Sequence, residues 1–323
     1  MISVVIPVFN ERESLPALYA EIADVARTQA LEVEILFVDD GSNDGSWHVI
    51  AELAREHEEI HGIRFRRNFG KAAALSAGFH AARGDIIFTL DADLQDDPAE
   101  IPRFLVLLNE SKAGQPLDVI SGWKRVRLDP WHKVWPSRIF NFMVSWLTGV
   151  SLHDHNCGMK CYRSEVFREV RLYGELHRFI PVLAAARGFR VGEIEINHRP
   201  RRFGRSKYGV RRFIKGFLDL LTVKFLTGFG QRPQHLLGSL GLVSFLLGNL
   251  VLAYLGVTWV IRLWSPDAYL PLHERPLLIY SLAALLLGAQ MMSIGFLAEL
   301  VTAYMSRDED SYSIADKTTP RDP

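Results

Sequence analysis

Cysteine is nearly missing from this chain: its 323 residues include only Cys157 and Cys161. With no second pair, these two cannot complete a tetrahedral zinc site or a disulfide framework, and a reducing compartment is expected. A surplus of charge is missing as well, since 37 basic residues face 37 acidic ones, and no nucleic acid is expected among the partners. Neither GxGxxG after the first apolar run nor GxxxxGK followed by Ser or Thr occurs, which removes the usual support for a dinucleotide oxidoreductase or a P-loop enzyme. No internal repeat is visible. The opening residues, Ile2-Ser3-Val4-Val5-Ile6, lack the basic, apolar and cleavage-site order of a secretory leader. The first domain is therefore expected to stay in the cytoplasm.

Two long stretches also lack charge, Leu236 to Ile261 and Leu277 to Ala298. Each exceeds the roughly 20 residues that cross a hydrocarbon core of about 30 Å. A buried soluble helix of that length would normally show a polar face. Arg199, Arg201, Arg202, Arg205, Lys207, Arg211, Arg212, Lys215 and Arg232 precede the first stretch, whereas in the connecting loop Arg262 and Arg275 are balanced by Asp267 and Glu274. Positive residues stay inside. The expectation is a multi-pass protein of the inner (cytoplasmic) membrane with its first domain and both termini cytoplasmic.

Before those spans, short apolar runs alternate with helical patterns. Ser3 to Val8, Val33 to Val38, Ile60 to Phe65 and Ile86 to Leu90 read as buried strands; Leu15 to Arg27, Ser46 to His57 and Lys71 to Ala82 read as helices between them. Ser14 suits an N-cap and Pro16 a first turn. This alternation predicts an α/β fold around a mostly parallel, doubly wound sheet, whose ligands sit beyond the carboxyl ends of the strands.

The loops at those ends are polar. Asp91 and Asp93 follow the fourth strand, with Gln95, Asp96 and Asp97 behind them. Clustered carboxylates repel unless a cation or proton relieves them, and hard oxygen ligands suit Mg²⁺ or Mn²⁺ bridging to a diphosphate. A solvated acidic turn capping the next helix, with Pro98 in its first turn, is the alternative. Placement opposite Asp39 and Asp40 favours the ion.

The segments Val5-Ile6-Pro7-Val8-Phe9-Asn10-Glu11, Val38-Asp39-Asp40-Gly41-Ser42-Asn43-Asp44-Gly45-Ser46 and Leu90-Asp91-Ala92-Asp93-Leu94-Gln95, in this order, resemble glycosyltransferase family 2, whose catalytic domain has the GT-A fold. Further segments resemble its polyprenyl-phosphate branch: Ser121-Gly122-Trp123-Lys124-Arg125, Pro136 to Asn141, Asp154 to Lys160, Tyr173 to Phe179, and Arg201-Arg202-Phe203-Gly204-Arg205-Ser206-Lys207-Tyr208. That branch includes dolichyl-phosphate mannose synthases and bacterial undecaprenyl-phosphate glycosyltransferases.

The resemblance implies that Pro7, Phe9, Glu11, Asp39 and Asp40 hold the nucleoside of a nucleotide-diphosphate sugar, while Asp91, Asp93 and Gln95 engage ribose, diphosphate and metal. Asp91, Asp93, Arg201 and Lys207 are the expected catalytic set. Lys71 is either a diphosphate contact or a solvated lysine, and Arg202 is undecided in the same way. Acceptor phosphate binding is expected at Arg138 with Lys124 or Arg125. Gly204 between Arg201 and Lys207 suits an anion-binding loop, and a basic patch attracting anionic lipid is compatible with it.

The apolar segment Ser137 to Val150 fits either a helix in the membrane interface or ordinary core packing. Between Arg211 and Leu221, charged and apolar residues segregate to opposite sides of a helical wheel, as on a helix resting on a bilayer. His153, His155, His177 and His198 form no zincin pattern and read as structural; Cys157 reads as a small buried residue. The expected layout is a GT-A domain over 1–210, an amphipathic juxtamembrane helix over 211–235, a two-helix anchor over 236–305 and a disordered tail over 306–323. Such anchors often associate, so a homo-oligomer is expected.

The expected reaction is inverting transfer of a hexose, from a donor of the UDP-glucose or GDP-mannose type, to a polyprenyl phosphate for cell-envelope glycans. A processive polysaccharide synthase is the enzymatic rival, but Gln231-Arg232-Pro233 does not supply the Gln-x-x-Arg-Trp of those enzymes. A catalytically silent membrane scaffold is the rival of another class, and the retained Asp91, Asp93, Arg201 and Lys207 speak against it.

Overall fold

The structure, a computed structural model, describes residues 1–110, 116–125, 131–170, 172, 176–200, 216–224, 233–266 and 269–305, with the side chains of all of these except 131–136, 233 and 302–305. Two compact units divide the chain, Met1–Lys224 and Phe225–Pro323.

The first unit is built on seven strands: β1 (Ile2–Val8), β2 (Val33–Asp39), β3 (Ile60–Arg64), β4 (Ile86–Thr89), β5 (Val119–Trp123), β6 (Lys160–Arg163) and β7 (Val191–Glu195), in the order β3-β2-β1-β4-β6-β5-β7. The pairs β1–β2, β1–β4, β2–β3 and β5–β7 are parallel, while β6 runs antiparallel between β4 and β5. Helices α1 (Leu15–Thr28), α2 (Ser46–Glu56) and α3 (Lys71–Ala81) connect the first four strands. Val4, Val5, Ile6, Phe37, Val38 and Phe88 are buried on strands that are covered on both faces, which is why those runs are continuously apolar. The parallel α/β expectation holds, and each of those strands and helices falls within two residues of its sequence reading.

Ser14 is a correction. It has helical dihedrals and makes no side-chain cap; its Oγ donates to the Glu11 carbonyl at 2.8 Å, closing the turn before α1 instead of accepting from the helix. Pro16 does occupy the first turn.

Helices α4 (Ile101–Asn109), α5 (Trp131–Thr148), α6 (Val166–Glu169) and α7 (Ile180–Ala186) complete the numbered helices up to β7. One side of helix α5 makes the core packing expected for it, and the other side is exposed. Val144, Phe140, Met143 and Leu147 pack with Leu176, Phe179, Val182, Leu220 and Val223, whereas Ile139, Phe142 and Trp146 on the other side are exposed. Residues 216–224 form α8, which buries Leu220 and Val223 in the same cluster and exposes Phe217, Leu218 and Leu221. Arg211, Arg212 and Lys215, with the rest of the expected 211–235 helix and the tail 306–323, lie outside the described residues.

In the second unit, α9 (Pro233–Trp264) and α10 (Pro276–Met305) form a helical hairpin. Over Gln234–Trp264 and Pro276–Val301 both are long and apolar enough to cross a membrane, with mean hydropathy 2.1 and 1.9. Large apolar side chains point outward, as at Leu250, Ile279 and Leu286, which are 66%, 70% and 65% exposed. A soluble core helix would hide them. Inside the hairpin the contact is made by small residues: a Cβ on Gly288 would stand 2.5 Å from the Phe245 nitrogen, so only glycine lets the two backbones approach this closely.

Candidate active site

The carboxyl ends of the parallel strands bring three of the polar loops together. After β1 the chain turns through Asn10 at φ 56°, and its side chain accepts from Asn43 N at 2.9 Å. The backbone nitrogens of Asn10 and Glu11 donate to Ser42 Oγ and Ser46 Oγ at 2.9 and 3.1 Å, so the loops after β1 and β2 are laced into one rim. Pro7, Phe9 and Glu11 line that rim, each partly buried.

Asp39 and Asp40 are buried at the end of β2. Asp40 accepts from the Phe69 and Gly70 nitrogens at 2.6 and 2.9 Å, fixing the loop that leads into α3. Burial raises its pKa above the usual carboxylate range, although those two donors pull the other way; Asp39 beside it adds to the rise. Gly41 at φ 71° is needed here, since a Cβ would come within 2.5 Å of the Arg67 backbone. Asp39 Oδ1 accepts from Ser42 N at 2.9 Å. Its Oδ2 is buried without a hydrogen-bond partner among the described residues, and Arg64 Nε stands 3.6 Å away. A buried carboxylate oxygen in that condition is a ready acceptor for a ligand hydroxyl or amide.

Asp91 and Asp93 follow β4. Lys71, the first residue of α3, pairs directly with Asp91 Oδ1. Burial opposes ionisation of Asp91, but the charge and hydrogen bond of Lys71, helped by Lys124 and Lys160, outweigh it and hold the carboxyl down at about 2. Gly158 makes the fit possible, because a Cβ there would lie 2.6 Å from the Asp91 carboxylate. Asp93 is buried, and its Oδ1 accepts from Gln95 N at 3.1 Å across Leu94, which has φ 58°. Asp97 caps the following short helix through Ala99 N at 2.9 Å, so the capping alternative describes Asp97.

Among the described residues no group of three or more His, Cys, Asp or Glu could hold an ion by itself. The donor set nonetheless fits a hard divalent cation: ionised Asp91 and buried Asp93 offer carboxylate oxygens, and magnesium-type ions are commonly held by one or two carboxylates with substrate phosphates and water.

The expected acceptor residues fall in different surroundings. Lys124, just past β5, is largely buried and pairs with fully buried Asp96 at 2.7 Å. That pair and its neighbours hold Lys124 more firmly protonated than usual, against the effect of burial. Arg125 is exposed and faces Glu195 at 3.3 Å. Arg138 is exposed on α5 and makes no ion pair among the described residues. Arg201, Arg202 and Lys207 lie outside the described residues.

Three further polar groups lie near this site: His155 and Cys157, which read as structural from the sequence, and Lys160, to which the sequence reading gives no role. Lys160 is buried and donates to the Cys157 carbonyl; burial, then Lys71, lowers its pKa. Burial holds His155 down at about 4, and its Nε2 lies 3.1 Å from Ser145 Oγ. The Cys157 thiol is pushed up to about 12 by burial, consistent with an inert core residue.

A sheet with this mixture of parallel strands and one inserted antiparallel strand, carrying an Asp-x-Asp loop beyond β4, defines the GT-A class of glycosyltransferase fold. The chain matches the family model "Glycosyl transferase family 2" over residues 3–171 and belongs to that family. It is 37% identical over 314 residues to a dodecaprenyl-phosphate galacturonate synthase of Rhizobium johnstonii, covering 96% of this chain and 90% of that one. It is 34% identical over 315 residues to an undecaprenyl-phosphate 4-deoxy-4-formamido-L-arabinose transferase of Aeromonas hydrophila, covering 93% and 88%. Among solved structures, it resembles glucosyl-3-phosphoglycerate synthase of Mycobacterium tuberculosis in complex with Mn²⁺, UDP and phosphoglyceric acid, with TM-score 0.54, 16% identity, and 70% and 78% of the two chains covered. The chain is a glycosyltransferase.

Proposed function

We propose that this glycosyltransferase moves a sugar from a nucleotide diphosphate to a polyprenyl phosphate at the cytoplasmic face of the inner membrane. The observation that carries this reading is the acidic loop Asp91–Gln95 beyond β4, on the same side of the sheet as Asp39 and Asp40 at the end of β2, the two strands that flank β1. The two curated relatives, both named as polyprenyl-phosphate sugar enzymes, support the acceptor class. So do the two membrane-type helices and the exposed apolar stripes of α5 and α8.

In this reading Pro7, Phe9 and Glu11 line the nucleoside site, and buried Asp39 and Asp40 accept hydrogen bonds from base and ribose. Asp93, with Asp91 and Gln95, holds Mg²⁺ or Mn²⁺. When bound, that ion neutralises charge developing on the leaving diphosphate. Lys71 turns from Asp91 to a diphosphate oxygen, and Arg201 and Lys207 add positive charge from the segment beyond β7. Arg138 with Lys124 or Arg125 receives the acceptor phosphate; Arg125 and Arg138 are the more accessible cations, since Lys124 is committed to Asp96.

A lipid phosphate is already anionic at neutral pH and needs no base to make it nucleophilic. One of its oxygens bonds to the anomeric carbon as the carbon–oxygen bond to the diphosphate breaks, and the nucleoside diphosphate leaves with the electron pair. Catalysis then rests on alignment and charge neutralisation. In-line displacement inverts the anomeric centre, so an α-linked donor yields a β-linked lipid product.

The organisation follows: a cytoplasmic catalytic domain over 1–210, a juxtamembrane helix over 211–235, a two-helix anchor over 236–305 that associates with copies of itself, and a cytoplasmic tail. The test is a panel of labelled nucleotide sugars carrying glucose, mannose, galacturonate or 4-deoxy-4-formamido-arabinose, given with undecaprenyl phosphate and Mg²⁺ or Mn²⁺. One donor should label organic-extractable lipid, and recovery of an α-linked product from an α-linked donor would contradict the inverting step.

A further inference from the structure

The acidic loop carries four carboxylates within seven residues, Asp91, Asp93, Asp96 and Asp97. Three of them are paired with cations from outside the loop: Asp91 with Lys71, as described above, and two more. Asp96 is held by Lys124 at 2.7 Å, and Asp97 Oδ2 by Arg199 Nη2 at 2.6 Å. The other arm of the Arg199 guanidinium donates to Glu21 Oε2 on α1 at 2.7 Å. A planar guanidinium can serve two carboxylates in fixed directions at once, which a lysine ammonium on its flexible stem does less well. Arg199, Asp97 and Glu21 are all largely sheltered, so the pairs escape much of the screening that weakens surface ion pairs.

The backbone repeats the connection. Arg199 N donates to the Gln95 carbonyl at 3.0 Å, and Asp96 and His198 form an antiparallel bridge. Asn197 Nδ2 donates to Glu100 Oε1 at 2.9 Å just beyond the loop. Gln95 N in turn donates to Asp93 Oδ1 at 3.1 Å. A continuous line of hydrogen bonds therefore runs from α1 through Arg199 to the carboxylate assigned to the metal.

We infer that Arg199 is a positioning residue of the acidic loop: it braces Gln95–Asp97 against α1, fixing where Asp93 stands and cancelling the charge of Asp97 so that Asp91 and Asp93 remain for the ligand. This rests on the metal-diphosphate reading of the loop, though not on the identity of sugar or acceptor. Partners just behind metal ligands typically contribute about 10- to 100-fold to metal affinity or activity.

The test is calorimetric titration of the full-length protein in detergent with UDP in the presence and absence of Mn²⁺, alongside thermal unfolding. Arg199→Ala should weaken Mn²⁺-dependent UDP binding by about 10- to 100-fold. Arg199→Lys should recover little of this, because one ammonium does not span both carboxylates. Glu21→Gln, which removes the charge from the arm to α1, should give a smaller loss with an unchanged melting temperature. Should Arg199→Ala fail to fold, the other two substitutions carry the test. Binding within twofold of wild type in every folded variant overturns the inference, as does a loss that Arg199→Lys fully restores. Wild type that binds Mn²⁺ and UDP but labels no lipid would leave this inference standing while the lipid-acceptor reading fails. Wild type with no Mn²⁺-dependent UDP binding would remove both.

Discussion

The two units solve the burial problem in opposite ways. In the first, large apolar side chains such as Phe37, Phe88, Phe104 and Leu108 are fully hidden, and charged groups are buried beyond the carboxyl ends of the strands at Asp39, Asp40 and Asp96, beside Lys160, as well as at Glu34 near the other end. In the second, leucines and isoleucines face outward while Gly241, Gly248 and Gly288 make the helix contact. Water drives the first arrangement through the hydrophobic effect. A lipid surround removes that drive, leaving close backbone packing to join helices. The buried ions of the first unit have a cost that local pairing offsets, as Arg83 does for Glu34 and Lys124 for Asp96.

The functional half of that comparison is most exposed to Asp93→Ala. It should lower sugar transfer about a thousandfold or more in a labelled-lipid assay, the scale of losing a main stabiliser of the leaving group. The melting temperature should change little, since Asp93 lies in the loop beyond β4. Near-normal transfer would return the acidic loop to a capping role. Lys71→Met should cost less, about 10- to 100-fold in kcat/KM, the range for a charged hydrogen bond. It should also remove the main group that keeps Asp91 ionised, shifting the acid limb of the pH–rate profile upward; an unmoved limb would contradict the pairing.

The contrast in burial is sharpened by one substitution made twice. Leu108→Ala, at a fully buried site, should destabilise the first unit by about 2–5 kcal/mol. Leu286→Ala, on the outward face of α10, should cost less than about 0.5 kcal/mol in lipid or detergent. Equal costs in denaturant titrations would mean that α10 is buried in a way the hairpin alone does not provide.

A further expected effect is one of pH. Burial, with Lys160 beside it, holds His155 at about 4, well below its ordinary value, so the unfolded chain takes up a proton that the folded chain refuses. Stability should therefore fall as pH drops from about 6.5 towards 4, and His155→Asn should flatten that slope. Asp91 acts lower: its pairing with Lys71 stabilises the fold above the ordinary carboxylate value and is lost only as pH falls towards about 2.

Much of this was legible in the sequence because it is local. Continuous β-branched runs marked β1 to β4, and the loops after them followed directly, so Pro7, Phe9, Glu11, Asp39, Asp40, Lys71, Asp91, Asp93 and Gln95 could be placed beyond the strand ends, while the donor-side roles proposed for them came from the family resemblance. The later strands were harder. β6 enters antiparallel between β4 and β5, and its run Lys160-Cys161-Tyr162-Arg163 offers neither length nor alternation to announce it. Long-range pairs were invisible for the same reason. Nothing near Arg199 predicts Glu21, 178 residues away, and nothing near Lys124, expected to bind acceptor phosphate, predicts Asp96 beside it. Ser14 misled because an N-cap and a turn-closing serine have the same local sequence.

The acidic loop and the lipid phosphate acceptor are tested together by one measurement. Purified wild-type protein and Asp93→Ala are given the accepted labelled nucleotide sugar, undecaprenyl phosphate and Mn²⁺, and the products are partitioned between organic and aqueous phases. The expected result is label in the organic phase as a single-sugar lipid with wild type, abolished by Asp93→Ala and by chelation of the metal. Label in long water-soluble polymer, or equal lipid labelling by Asp93→Ala, would contradict it.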